Sequence, residues 1–132
     1  MYFLPKPKKL TETNGEFFAE SGLRIVSESE GLKISTGWAL PKVLRDELLR
    51  YAGVEDTLTA GTADKGDISL RLVNALPPQS YVLSITEEQI EILGRDRAGV
   101  GYGIQTLCQI IRNKGALLPA LRIEDKPDIP AR

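Results

Sequence analysis

At 132 residues, 42% hydrophobic and 27% charged, the chain is sized for one globular domain that buries roughly two thirds of its unfolded surface. No stretch approaches the roughly 18 unbroken apolar residues of a membrane-spanning helix. A formal charge of -1 and a pI near 5.5 give no basic field for holding phosphates, so neither a membrane nor a nucleic acid is an expected partner.

Met1 leads directly into Tyr2, Phe3, Leu4 and Pro5, without the charged start, apolar run and cleavage site of a secretory leader. A cytoplasmic location is expected from this, with secretion the alternative if a leader has been removed. Pro5 and Pro7 impose an extended entry, with Lys6, Lys8 and Lys9 as a solvated basic lead. Two short apolar runs follow, Leu10 to Thr13 and Phe17 to Ala19. The Asn14-Gly15 pair between them predicts a tight hairpin. Leu23, Ile25 and Val26 suggest a strand that ends in the polar stretch Ser27 to Gly31. The first helix is expected over Leu40 to Ala52. Pro41 suits its first turn, Leu44, Leu48 and Tyr51 repeat at helical spacing with Leu40 and Ala52 extending that face, and Gly53 can end it. Asp46 and Glu47 then fall on its solvated side, and Thr57 to Gly66 reads as a polar connector.

Three strands come next. Ile68, Leu70 and Leu72 alternate with Ser69 and Arg71, Tyr81, Leu83 and Ile85 alternate with Val82 and Ser84, and Ile90 and Ile92 flank Glu91. A period of two gives each strand one buried and one wetter face. Pro77-Pro78 breaks the first connection, and Thr86 to Gln89 makes the second a short antiparallel hairpin. Asp96 is a good N-cap for a second helix to about Arg112, with Val100, Ile104, Leu107 and Ile111 as its core stripe. Gly99, Gly101 and Gly103 each cost about 1 kcal/mol against Ala in a helix, which predicts close approach of this helix to the sheet. Leu121 to Ile123 forms a last strand, and Lys126 to Pro130 is extended. The fold class is α+β, a mixed, largely antiparallel sheet with two helices on its apolar face.

Little chemistry is visible. The chain has no histidine and one cysteine, which removes His-dependent nucleophile systems and His or thiolate metal sites, and no cofactor is implied. Cys108, near the apolar stripe of the second helix, reads as a buried structural thiol. Gly94 to Gly99 has the glycine spacing of a phosphate loop, but Val100 stands where the lysine belongs, and Gly99, Gly101 and Gly103 do not match the dinucleotide fingerprint. Glu87-Glu88 and Glu124-Asp125 are adjacent carboxylates. Neighbours on a strand point to opposite faces, so neither pair naturally flanks one glycosidic bond, and Glu87-Glu88 reads as a hairpin turn in water. Trp38 and Tyr102 are the aromatics able to stack on a sugar, although core packing explains both.

Two stretches carry a family resemblance. One is Tyr81 to Ile85, Ile90 to Gly94 and Ala98 to Gln109, and the other is Leu118 to Pro127 continuing to Ile129-Pro130-Ala131-Arg132, while Leu4-Pro5-Lys6-Pro7 fits the beginning. Together they resemble the small N-terminal domain of the glycoside hydrolase family 20 β-N-acetylhexosaminidases. The resemblance implies a zincin-like sheet carrying two helices and no zinc, over residues 1–125, with 126–132 linking into a catalytic TIM barrel. The parent enzyme would remove terminal N-acetylhexosamine from a carbohydrate substrate by a substrate-assisted retaining route run in that barrel, and these residues alone would be inactive. It assigns one substrate-binding residue, Arg132, whose guanidinium fork suits vicinal sugar hydroxyls. Similar domains precede barrels in O-GlcNAc hydrolases and α-glucuronidases. A stand-alone carbohydrate- or protein-binding module is the reading from another class. The run from Lys126 to Arg132, without cap or tail, reads as a cut in a continuing chain.

Overall fold

The computed structural model describes residues 9–29, 32 and 40–125. The strands are β1 (Lys9–Phe18), β2 (Leu23–Ser27), β3 (Asp56–Ala60), β4 (Ile68–Leu72), β5 (Tyr81–Ile85), β6 (Ile90–Gly94) and β7 (Leu117–Asp125). Helix α1 (Leu40–Glu47) runs on into a π-helical turn over Leu48–Ala52, and α2 spans Arg97–Lys114. The strands form one sheet in the order β1-β7-β5-β6-β4-β2-β3. It is mixed, as expected, but antiparallel pairing holds only from β1 to β6, and β6, β4, β2 and β3 run parallel.

The period of two in the sequence becomes rows across this sheet. Ile25, Ile68, Ile90, Ile85 and Leu121 are register partners along one row, and Ser27, Leu70, Ile92, Leu83 and Ile123 along the next. Val100, Ile104, Leu107 and Ile111 of α2 and Leu44 and Leu48 of α1 complete this core, all six fully buried. Burying a Leu or Ile side chain is worth about 1.5–3 kcal/mol, so these rows and helical stripes dominate the stability of the domain.

Several expectations fail locally. Asn14-Gly15 makes no hairpin, because β1 is one strand through both apolar runs. Its ladder with β7 is broken between Glu12 and Glu16, which face Leu121 and Pro119. Pro119 has no N–H to offer the ladder, and Asn14-Gly15 takes up the slack as a bulge. The connector after Thr57 is instead the edge strand β3, paired parallel to β2. Ser69 and Val82, expected on a wetter face, are buried. Glu28, one step past β2, folds over Ser69, accepting its hydroxyl and the Ala63 N–H (3.1 Å). Residues 61–67, which connect β3 to β4, are tied down by Arg24, whose guanidinium pairs with Asp67 (2.5 Å) and Asp64 (3.4 Å). Seven residues are short for a parallel crossover, which usually takes a dozen or more, and these polar ties replace the usual helix.

Tyr51 also departs from the expected helical face, being 43% exposed. The π-helical turn widens the helix and shifts the phase by one residue, so the i+7 position rotates into solvent. Gly53, at φ 68°, then closes the helix in the left-handed region. Lys9 opens β1 opposite Glu124, whereas Lys6 and Lys8 lie outside the described residues.

Candidate functional site: the two helices and their outer face

Helix α2 begins where the sequence places it. Asp96 accepts from the Gly99 N–H (2.8 Å) and, with its other oxygen, from the Gln79 N–H (3.0 Å), which holds Gln79 at a left-handed φ of 60°. A carboxylate therefore already occupies the helix N-terminus where a phosphate would bind, and the Gly94 to Gly99 spacing is a packing feature. A Cβ on Gly99 would land on the Ser80 carbonyl oxygen, and one on Gly103 would meet Ile92 Cγ2 at 2.5 Å. The close approach of helix and sheet predicted from the glycines is present at these two positions.

Inside the interface, the Tyr81 hydroxyl donates to Thr106 Oγ1 (2.6 Å), which in turn donates to the Tyr102 carbonyl (3.1 Å). Burial pushes the Tyr81 phenol up to about 12, so it is a neutral structural donor. Cys108 is 4% exposed. Burial, reinforced by the charge of Glu47, pushes its thiol up to about 12, which leaves it protonated and inert as a nucleophile at neutral pH.

Glu47 departs from its expected place on a solvated face. It is 6% exposed and pairs with the Arg112 guanidinium, linking α1 to α2. Arg112 also lies 5.9 Å over the Tyr51 ring. Arg112→Leu strands a buried carboxylate, so it is expected to lower the urea midpoint further than the double variant Glu47→Leu/Arg112→Leu. A single variant more stable than the double one would show that the pair does not hold the helices together.

The other singled-out residues stay apart. Asp46 is exposed, and Glu87 and Glu88 stand exposed on the β5–β6 turn. Glu124 pairs with Arg122 (3.1 Å), and Asp125 follows it on the opposite side of β7. Asp56 is buried beside Arg45 (2.7 Å); its carboxyl is pushed up by burial, with Arg45 opposing. Among the described residues, no group of three His, Cys, Asp or Glu is placed to hold a metal. Trp38 and Arg132 lie outside the described residues.

What the helices do present is an unusual outer surface. Along α2, Ala98, Tyr102 and Gln105 are exposed and Gln109 is half-buried, an outward stripe that carries no charge until Arg112. Val43, Leu49, Tyr51 and Tyr102, all on helices, are each more than 40% exposed. Beside Leu49 lies a shallow depression of about 480 Å³ floored by Val54 and edged by Lys42, Arg45, Asp46, Glu55 and Asp56. Tyr102 therefore does not belong to the core.

Residues 1–126 match the sequence model described as glycosyl hydrolase family 20, domain 2. The chain belongs to that family. This family 20 domain is 29% identical to the lacto-N-biosidase of Bifidobacterium bifidum, over 98% of this chain and 11% of that protein. It is 28% identical to the beta-hexosaminidase of Porphyromonas gingivalis, over 94% of this chain and 17% of that protein. Its fold matches the N-acetyl-beta-hexosaminidase of Streptomyces plicatus with a TM-score of 0.76 at 22% identity, over 94% of this chain and 26% of that one. The family 20 domain thus spans between a tenth and a fifth of the length of these curated relatives.

Proposed function

We propose that this family 20 domain is the non-catalytic companion of a β-N-acetylhexosaminidase, whose catalytic portion removes terminal N-acetylhexosamine residues and lies outside these 132 residues. The observation that carries this reading is the contrast between inside and outside. The described residues close around one core, while the outward stripe of α2 carries no charge and Val43, Leu49, Tyr51 and Tyr102 stand exposed on the helices. A solvated helix face ordinarily carries Lys and Glu, so a three-turn stripe without charge favours contact with another protein surface. The occupant in this reading is the catalytic barrel, with residues 126–132 as the link and Arg132 reaching the sugar. A cytoplasmic location goes with the same proposal.

The family match and the names of the relatives favour this reading over an O-GlcNAc hydrolase or α-glucuronidase companion and over a stand-alone binding module. The test is hydrolysis of a chromogenic N-acetylglucosaminide by residues 1–132 alone and by the full-length gene product. The expected result is no turnover by the domain and turnover by the full-length protein. Turnover by the domain, or none by a folded full-length protein, would overturn the proposal.

A further inference from the structure

We propose that Asn14-Gly15 is a site of spontaneous, non-enzymatic deamidation in the folded protein, imposed by the bulge that interrupts β1. Between Glu12 and Glu16, β1 advances four residues while β7 advances only two, from Leu121 to Pro119. Residues 13–15 consequently have no partner in the ladder, and Asn14 is exposed. Gly15 sits at φ 107°, and a Cβ there would lie 2.6 Å from Glu87 Cγ and 2.8 Å from its Cδ and Oε1. The backbone conformation favours glycine at this position, and the exposed Glu87 side chain would have to swing aside for any Cβ. The conformation of the bulge thus favours the residue that leaves the preceding asparagine least shielded.

The chemistry needs only water. The Gly15 nitrogen attacks the Asn14 side-chain carbonyl carbon, a C–N bond closes a five-membered succinimide, and the C–NH2 bond breaks. Ammonia leaves with the proton lost from the Gly15 nitrogen. Water then opens the ring at either carbonyl, giving Asp or isoaspartate, with no change in oxidation state. A ladder-paired amide resists the rotation this attack requires, whereas an unpaired residue followed by glycine does not. The product places a new carboxylate in the segment that already holds Glu12 and Glu16 and abuts Glu87, and the isoaspartyl form lengthens the bulge backbone by one methylene. Both changes weaken the end of β1, an edge strand.

The other two asparagines are internal controls. Asn74 precedes Ala75, whose Cβ crowds the attack. Asn113 lies in α2 with its side-chain amide donating to the Gln109 carbonyl (2.9 Å). The experiment incubates the folded protein at mildly alkaline pH and follows each asparagine by peptide mapping, with a urea-unfolded sample in parallel. The expected result is conversion at Asn14 faster than at Asn74 or Asn113 by about an order of magnitude, at a rate near that of the unfolded sample. Asn14→Ser, which lacks the side-chain amide, is expected to remove the charge heterogeneity on ion exchange. Equal rates at all three sites, or an Asn14 that converts only in urea, would overturn the proposal.

Discussion

Gly99→Ala is expected to destabilise the domain by about 3 kcal/mol or more, even though Ala is the better helix former by about 1 kcal/mol. The propensity gain is outweighed because the new methyl group would land on the Ser80 carbonyl oxygen, with Ser80 C at 3.1 Å and Gln79 C at 3.3 Å. These are backbone atoms and cannot rotate away. Relief requires either moving α2 off the sheet, which opens the core around Val100 and Ile104, or shifting the Gln79-Ser80 turn that Asp96 holds. Gly103→Ala provides the contrast. Its methyl would meet Ile92 Cγ2 at 2.5 Å and Tyr81 Cδ2 at 3.3 Å, both side-chain atoms able to adjust, so the expected loss is smaller, about 1–2 kcal/mol. Urea unfolding followed by circular dichroism measures both, provided the slope m is unchanged. A neutral or stabilised Gly99→Ala protein would mean that helix and sheet are not pressed together at this point.

Ile104→Ala is expected to cost about 2–5 kcal/mol, through lost transfer energy and through the cavity it leaves. Ile104 is fully buried in the middle of α2, between Val100 and Leu107 on the stripe that faces the sheet, so few neighbours are free to collapse inward. Ile104→Leu keeps the volume and is expected to cost less than about 1.5 kcal/mol. Tyr102→Ala, on the outward stripe of the same helix, is expected to change the stability of the isolated domain by no more than about 0.5 kcal/mol. Unfolding midpoints for the three variants decide the matter. If Tyr102→Ala costs as much as Ile104→Ala, the outer face is part of the core and its proposed role as a contact surface fails.

Much of the fold was legible because it is written in periodicity. The alternation in β4, β5 and β6 and the four-residue stripe of α2 each correspond to a row or a face in the structure. The glycines of α2 were informative for the same reason, since a residue that weakens a helix needs a packing explanation. The errors fall where tertiary context overrides a local signal. Asn14-Gly15 has the chemistry of a hairpin turn, but Phe17 pairs with Leu118 of β7, more than 90 residues away, and no sequence-local rule reports that pairing. β3 was missed because its apolar content is a half-buried Leu58 between threonines and an exposed Ala60, as suits an edge strand. Tyr51 was misplaced by a π-helical turn, which a fixed 3.6-residue period cannot anticipate.

The candidate site was less legible than the fold. The lack of histidine could be read from composition, but the Glu47–Arg112 pair could not, because it joins residues 65 positions apart on separate helices. The uncharged stripe of Ala98, Tyr102, Gln105 and Gln109 was visible in the sequence, yet it became informative only once the structure showed which side of α2 faces outward.

The pairing of β1 with β7 sets a timetable for synthesis. The strand nearest the N-terminus is held by the last strand of the domain, and β7 lies between β1 and β5 in the interior of the sheet. On the ribosome, β1 must therefore wait unpaired until residues 117–125 have left the exit tunnel, by which time any downstream sequence is already being translated. Closure of this sheet is a late event, and a nascent chain stalled at residue 116 would carry β1 as an open edge exposed to chaperones.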